Sequence, residues 1–90
     1  MTDEEYLDFV MAPENRRVLE LLKRKDDRAR QKHPVFAVGI YQGFGVIGEE
    51  YGEACQAVNH EQGEERIIDE GGDLLEVAFR FVRGDYRQKA

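Results

Sequence analysis

The chain has 90 residues, a formal net charge of −6 and a sequence pI near 4.9. A chain of this length forms one small domain with a modest core, and it often needs a partner subunit to be stable. Its acidic balance argues against general binding to nucleic acids or anionic membranes. The single cysteine excludes an internal disulfide and a cysteine-based zinc site, which favours an intracellular, cytoplasmic protein. No apolar run approaches the roughly 18 residues of a membrane span, and the N-terminus lacks the pattern of a signal peptide.

Two helices are predicted in the first third of the chain. Thr2 and Glu5 form a capping-box pair, which predicts a first helix that ends before Pro13. A second helix is predicted to begin at or just after Pro13 and to end near Gln31. Its latter half, residues 23–30, is polar and largely basic. This half is interpreted either as a solvated face or as a basic arm beside an anionic ligand.

The rest of the chain is predicted to contain a connector and two longer helices. Residues 35–41 are apolar with an internal glycine, a pattern that fits a short strand or an irregular connector. The next helix is predicted to follow Gly48 and to end near Asn59. The last helix is predicted to run from about Glu64 to a C-terminal cap at Gly84, with a polar tail after it.

Residues 43–48 read Gly-x-Gly-x-x-Gly, the fingerprint of a dinucleotide-binding loop, and Asp69 follows where a ribose-binding acid would be expected. In that motif the first turn of the following helix presents bare backbone N–H groups to a pyrophosphate. Here Glu49 and Glu50 occupy that turn, and their charges would repel the phosphates. The segment before the possible strand at residues 35–41 is predicted to be helical, and few residues follow Glu70, so a parallel sheet of several strands does not fit. The sequence therefore argues against a dinucleotide-binding fold.

Two short clusters of acids lie in the second half of the chain, each at the start of an apolar-periodic segment. Glu50 and Glu53 are three residues apart, and so are Glu70 and Asp73. Residues with this spacing share one face of a helix. Two antiparallel helices would therefore direct the four carboxylates towards one point. Four oxygen ligands of this kind suit a hard divalent cation such as Mg²⁺.

The apolar periodicity supports an inward orientation of these four acids. At 100° per residue, Glu50 and Glu53 lie on the flank of the apolar stripe of their helix. On the next helix Glu70 falls inside a wide apolar arc, and Asp73 lies at its edge. An unpaired carboxylate within an apolar arc costs several kcal/mol, so Glu70 needs an arginine, a proton or a metal.

Four other acids are predicted to lie away from this point: Glu49, Glu65, Asp69 and Glu76. For Glu49 and Asp69, a surface carboxylate favoured by the helix dipole is an equally good interpretation. Glycine inside a helix costs about 1 kcal/mol relative to alanine. The glycines near the acids, at Gly52 and at Gly71-Gly72, therefore indicate close approach of a neighbouring helix.

The two acidic motifs, Glu49-Glu50-x-x-Glu53 and Glu70-x-x-Asp73, resemble the signature of the MazG-like, all-α nucleoside triphosphate pyrophosphohydrolases. The resemblance covers roughly residues 33–83, and it departs from the usual pattern at Gly71-Gly72, where helix-forming residues are more common. It implies a single all-α domain over residues 1–90, with a helical hairpin that contributes to a four-helix bundle. It also implies completion of that bundle by oligomerisation, as a homodimer or homotetramer.

The same resemblance implies hydrolysis of a nucleoside triphosphate between its α and β phosphates, releasing a monophosphate and pyrophosphate with Mg²⁺ or Mn²⁺. The implied metal ligands are Glu50, Glu53, Glu70 and Asp73. Glu49 would orient or deprotonate the attacking water, or hold a further metal ion. An enzyme of this kind would serve to remove unwanted or non-standard nucleotides.

Arg80 is the best candidate for a phosphate contact, because it lies two turns beyond Asp73 on the same side of the last helix. A basic group there would steady the leaving pyrophosphate. A salt bridge with Asp73 or Glu76 is an equally good interpretation of Arg80.

A second hypothesis is a non-catalytic helical module that binds a metal or a nucleotide, or that serves only in assembly. The four inward carboxylates favour the enzyme, because an interaction module has no need of them. The Gly71-Gly72 pair leaves the hypothesis of a non-catalytic module open. On the enzymatic hypothesis Glu70→Gln is expected to abolish activity in a folded protein, and Glu76→Gln is expected to change little.

Overall fold

Four α-helices and a short closing turn make up the computed structural model, which describes residues 1–87. The elements are α1 (Asp3–Val10), α2 (Pro13–Lys32), α3 (Ile40–Asn59), α4 (Glu64–Arg83) and a 3-10 turn (Asp85–Arg87). No β-strand occurs within residues 1–87, so the prediction of an all-α fold is confirmed there. In that same range, no helix is both long enough and apolar enough to cross a membrane.

The helix ends follow the capping chemistry of the sequence. The Thr2 side chain accepts a hydrogen bond from the Glu5 backbone N–H at 3.1 Å, and the Glu5 carboxylate accepts one from the Thr2 backbone N–H at 3.0 Å. This reciprocal pair starts α1 as predicted. Pro13 starts α2, where its missing N–H has no partner to lose. Gly84 closes α4 with φ of 88°, a left-handed conformation that favours glycine.

The third helix starts earlier than the sequence pattern predicts. It begins at Ile40 rather than after Gly48, and the irregular connector ends at Gly39. Residues 43–48 are therefore helical, and they form no phosphate-binding loop. The alternative of a short strand at residues 35–41 is wrong.

The last three helices pack against one another around α4. Helices α3 and α4 form a hairpin joined by residues 60–63, and α2 packs against the other side of α4. A Cβ added at Gly72 would lie 2.9 Å from Leu21 Cδ2 on α2, so this glycine permits the close approach that the sequence predicts. For Gly52 and Gly71 that prediction is wrong within this chain, since a Cβ at either would meet no described atom within 4 Å.

The interior of the described chain is small and partly charged. Its buried apolar residues are Ala37, Ala57 and Val77, and its buried charged residues are Glu70, Glu76 and Arg80. Large apolar side chains on α3 and α4 are instead exposed. Phe44 is 65% exposed and Val82 is 84% exposed. The predicted polar tail after Gly84 forms a 3-10 turn as far as Arg87, and residues 88–90 of that tail lie outside the described part of the chain.

Candidate metal centre

A polar stripe runs along the side of α4 that faces α2. Its members are spaced four, three and four residues apart, so they share one helical face. The stripe consists of Asp69, Asp73, Glu76 and Arg80. Opposite it, α2 presents Lys25, which pairs with Asp69 and Asp73, and Arg30, which pairs with Asp26 on its own helix and with Asp85 beside the stripe. The contact between α2 and α4 is therefore made by charged groups around the approach of Leu21 to Gly72.

Helix α3 places two further acids, Glu50 and Glu53, near the end of this stripe that carries Asp69 and Asp73. One carboxylate oxygen from each of Glu50, Glu53 and Glu70 lies within 4.8 Å of the other two. The same holds for Asp69, Glu70 and Asp73, so Glu70 belongs to both groups. The structure thus brings together the four acids that the motifs single out. It also adds Asp69, which the sequence analysis placed elsewhere.

The Glu70 carboxylate is the centre of the cluster and nearly inaccessible, since the residue is 3% exposed. One oxygen, Oε1, pairs with the Arg66 guanidinium. The other, Oε2, is buried without a hydrogen-bond partner in the structure, as is Oε2 of Glu50. A buried polar oxygen with no partner is costly. A divalent cation would satisfy both oxygens, and carboxylate oxygens are the ligands that hard cations such as Mg²⁺ prefer.

The mutual repulsion of these acids is visible in Glu50. Burial is the largest cause, and together with the nearby charges of Glu53, Asp73 and Glu70 it raises the pKa of Glu50 from 4.5 to about 7. The Glu50 carboxyl is therefore harder to ionise than a solvent-exposed glutamate. A cation at this position would offset the repulsion and favour the ionised form.

Two basic side chains pair with the α4 half of the cluster. The Lys25 ammonium lies 2.7 Å from Asp69 Oδ1 and 2.9 Å from Asp73 Oδ1, and its side chain is only 12% exposed. Its hydrogen bond lowers the pKa of Asp69, with Arg66 contributing to the same shift. Burial opposes the charge on Lys25, yet its bonds to the two aspartates leave its pKa raised. The interpretation of residues 23–30 as a solvated face is therefore wrong for Lys25.

A cleft of about 580 Å³ opens beside the acids, between α2, the connector before α3, and the α3–α4 hairpin. One wall carries the basic residues Lys25, Arg28 and Lys32 of α2, and apolar side chains such as Val46 and Val77 line another part. Glu49 is exposed, as its helical position predicts, yet it lines this cleft together with Glu50, Glu53, Glu70 and Asp73. The cleft therefore combines a group of carboxylates with a basic wall.

Arg80 lies at the lower end of the stripe and is 1% exposed. Its Nη1 donates to the His33 carbonyl at 3.2 Å and its Nη2 to the Pro34 carbonyl at 3.3 Å. Its Nε lies 3.3 Å from Asp85 Oδ2 and 3.9 Å from Glu76 Oε1. The salt bridge with Glu76 that the sequence allows is thus present. Arg80 also lines the cleft, and its contact with a phosphate group stays a prediction.

Glu76 corrects the helical-face assignment made from the sequence. It was expected to lie away from the acids' side of α4, but it is 3% exposed and packs towards α2. The assignment was wrong because it took the apolar arc of α4 as the inner face, whereas Leu75 and Val82 of that arc are exposed in the chain. The regular spacing of residues 69, 73, 76 and 80 is the signal that would have identified the inner stripe.

Comparisons with protein-family models, with curated proteins and with solved structures find no match to this chain. What the fold and the cluster define is an all-helical protein that carries a group of carboxylates suited to a divalent cation. Any more specific assignment depends on the acidic motifs and on the geometry around them.

Proposed function

We propose that this protein is a metal-dependent nucleoside triphosphate pyrophosphohydrolase, of the kind its acidic motifs resemble. It would cleave the triphosphate between the α and β phosphates, giving a nucleoside monophosphate and pyrophosphate. One observation carries the proposal: Glu50, Glu53 and Glu70 present oxygens within 4.8 Å of one another, and two of these residues hold a buried oxygen without a partner. Such a group is unfavourable without a cation and well suited to one.

The acids divide into ligands and a proton acceptor. Glu50, Glu53, Glu70 and Asp73 would hold Mg²⁺ or Mn²⁺, which supplies charge neutralisation of the phosphates and lowers the pKa of a coordinated water. Glu49 is exposed and lines the same cleft, and we assign to it the role of orienting the attacking water and accepting its proton.

The basic wall of the cleft suits the anionic part of the substrate. Lys25, Arg28 and Lys32 of α2 line the cleft together with the acids. Phosphoryl transfer depends mainly on positioning and on stabilising negative charge, which cationic side chains provide. Arg80 is the further phosphate contact that we propose from its place two turns beyond Asp73.

Oligomerisation is part of the proposal, as a homodimer or homotetramer that completes a four-helix bundle. The support comes from the small apolar interior and from the exposed apolar side chains on α3 and α4, including Phe44 and Val82. A second copy packed on these faces would bury them. Sedimentation analysis is expected to find an oligomer for wild type and a shift towards monomer for Val82→Glu. A monomeric wild-type protein would contradict this part of the proposal.

The activity is tested by Mg²⁺-dependent release of pyrophosphate from a panel of standard and modified nucleoside triphosphates. Glu70→Gln removes the central ligand and is expected to abolish release, with circular dichroism used to show that the variant is folded. Glu20→Gln is the matched control, because Glu20 is an exposed acid on α2, outside the cluster. Equal release by Glu70→Gln and wild type would overturn the proposal.

The same samples separate an enzyme from a non-catalytic module. A ligand that binds only the folded state raises the melting temperature. A melting temperature raised by Mn²⁺, together with no release from any triphosphate, would assign the protein to the metal-binding module. A melting temperature that Mn²⁺ does not change, together with no release of pyrophosphate, would reject both the enzyme and the metal-binding module.

A further inference from the structure

Lys25 holds an unusual position for a basic residue beside a cation site. Its ammonium lies 2.7 Å from Asp69 and 2.9 Å from Asp73. These aspartates are two of the three acids in the α4 group, and Glu70 is the third. The third acid, Glu70, pairs with Arg66 through Oε1. Two protein cations therefore neutralise the acids of α4 from within the chain.

The α3 side of the cluster is different. Among residues 1–87 no ion pair reaches Glu50 or Glu53, and Oε2 of both Glu50 and Glu70 is buried without a hydrogen-bond partner. The unpartnered oxygens belong to the group that Glu50, Glu53 and Glu70 form, while Lys25 pairs with the two aspartates of α4. A divalent cation held by Glu50, Glu53 and Glu70 between α3 and α4 would therefore compete with Lys25 for Asp73, the fourth proposed ligand.

We infer that Lys25 is a displaceable counter-ion of the metal centre, which competes with the divalent cation for Asp73 and then turns to a phosphate group of the substrate. The inference depends on the proposed function, since it assigns a role to Lys25 at the proposed metal site. A divalent cation ligated by Asp73 would stand within a few ångströms of the ammonium, and two like-charged ions at that separation repel strongly in a partly buried site. The bond from Lys25 to Asp73 must therefore weaken when the cation binds.

The released ammonium has a nearby alternative partner. Lys25 lines the cleft on the same wall as Arg28 and Lys32, so its amine can reach a phosphate there without leaving the site. A phosphate that holds Lys25 away from Asp73 removes the competitor of the metal. Binding of a polyphosphate would thus raise the affinity for the metal, and by linkage the metal would raise the affinity for the polyphosphate.

The inference is tested by comparing Mn²⁺ affinity in three proteins at low ionic strength, with free Mn²⁺ measured by electron paramagnetic resonance. Lys25→Met keeps the aliphatic stem and removes the competing charge. Lys23→Met is the matched control, because it removes the same charge from the same helix. Its amine pairs with Asp27 at 2.6 Å on the surface, with 76% of the side chain exposed. Lys25→Met is expected to bind Mn²⁺ about tenfold more tightly than wild type, with a smaller gain at high salt, and Lys23→Met is expected to match wild type.

The outcomes separate this inference from the proposed function. Mn²⁺ binding by wild type with equal or weaker binding by Lys25→Met overturns the counter-ion role and leaves the metal site standing. The absence of Mn²⁺ binding by both wild type and Lys25→Met overturns the metal site itself. Binding by Lys25→Met alone supports the inference, because the metal site then appears once its competitor is removed.

A second measurement uses the unaltered chain, in case Lys25→Met does not fold. Limited acetylation with acetic anhydride, followed by peptide mass spectrometry, reports how accessible each lysine amine is. Lys25 is expected to be labelled slowly on its own and several-fold faster with saturating Mg²⁺, as its bonds to Asp69 and Asp73 weaken. Lys23 is expected to react at one rate throughout. Labelling of Lys25 that does not rise with Mg²⁺ overturns the inference.

Discussion

The carboxyl groups of Glu76 on α4 and Asp26 on α2 approach each other between the two helices, and each has one buried oxygen without a hydrogen-bond partner in the structure. Burial is the largest cause, and together with the neighbouring Asp26 carboxylate it raises the pKa of Glu76 from 4.5 to about 7. Burial also opposes the charge on Asp26, but its hydrogen bonds with Arg30 and Glu76 leave its pKa lowered. Glu76 is thus the member that carries the proton, and a shared proton accounts for the otherwise unpartnered oxygens Asp26 Oδ1 and Glu76 Oε1.

This pair predicts a pH-dependent stability that Glu76→Gln removes. Since the pKa of Glu76 is raised in the folded state, its contribution is complete below about pH 4.5 and is lost as the pH rises through about 7. A glutamine amide keeps a donor towards Asp26 and cannot ionise. The variant is therefore expected to melt near the wild-type temperature at about pH 5, and several degrees above it at about pH 8.

Melting temperatures across that pH range check the prediction, with Glu20→Gln as the exposed control. Parallel curves for wild type and Glu76→Gln would show that Glu76 does not carry the proton. From the sequence alone, Glu76→Gln is expected to change little. That expectation assumes that Glu76 lies on the outer face of α4, and the structure corrects this assumption.

The glycine pair of α4 gives a second prediction, since its two members have different surroundings. Gly71→Ala is expected to stabilise the protein by about 0.5–1 kcal/mol, because alanine is the better helix former and its Cβ meets no described atom within 4 Å. Gly72→Ala places a Cβ 2.9 Å from Leu21 Cδ2 and 3.0 Å from Leu21 Cγ. Overpacking of this kind costs about 1–3 kcal/mol, which exceeds the gain in helix propensity.

Denaturant unfolding of the two variants measures the difference. A stabilised Gly72→Ala would mean that Leu21 moves aside at no cost. A destabilised Gly71→Ala would indicate that a partner subunit contacts this side of α4 in solution.

The helices were predictable because their signals are local. The Thr2–Glu5 capping pair, Pro13 at the start of α2 and Gly84 at the end of α4 each act within one helical turn. The start of α3 was not predictable in the same way. Residues 40–47 form a helical segment rich in glycine, and tertiary contacts stabilise it. Gly43 packs so closely on Tyr86 that a Cβ added at Gly43 would lie 3.0 Å from Tyr86 Cβ.

The candidate site was predictable in part for a related reason. The spacing within each motif places Glu50 with Glu53 and Glu70 with Asp73 on one face, whatever the rest of the chain does. The role of Lys25 depends on which face of α2 meets α4, and that arrangement comes from long-range packing. Glu76 was misplaced because part of the apolar arc of α4, including Val82, lies on the surface of the chain.

Arg80 allows two roles to be separated by one substitution. Its guanidinium joins α4 to the connector carbonyls of His33 and Pro34 and to Asp85. Removal of one partner from a buried charged network costs about 3–5 kcal/mol, so Arg80→Gln is expected to lower the melting temperature by more than about 10 °C. Arg83→Gln is the control, because Arg83 is half exposed and its ion pair with Asp85 spans 3.8 Å.

The contrary outcome for Arg80→Gln is equally informative. A variant that melts near the wild-type temperature but has a raised KM for the triphosphate would assign Arg80 to the phosphate contact predicted from the sequence. A large loss of stability with KM unchanged in the folded fraction would assign it to the framework of the cleft.

Glu50 makes the proposed metal site sensitive to pH. With a pKa raised to about 7, its carboxyl must lose a proton before it can bind a cation. The affinity for Mn²⁺ is therefore expected to fall by up to about tenfold for each pH unit below 7, and to level off above about pH 8. Calorimetric titration of Mn²⁺ at several pH values measures this profile. Glu50→Gln is expected to bind more weakly with a flatter profile, and an unchanged slope in that variant would exclude Glu50 as the group that titrates.

The same residue predicts opposite effects of pH on stability with and without the metal. A raised pKa in the folded state means that stability from protonated Glu50 is present below about pH 4.5 and is lost as the pH rises through about 7. Saturating Mn²⁺ reverses this sign, because it stabilises the ionised carboxylate. The rise in melting temperature caused by Mn²⁺ is therefore expected to grow between about pH 6 and pH 8 and to be much smaller in Glu50→Gln. Since Glu76 lies outside the group of ligands, its titration contributes equally to both curves, and the difference between them isolates the metal centre.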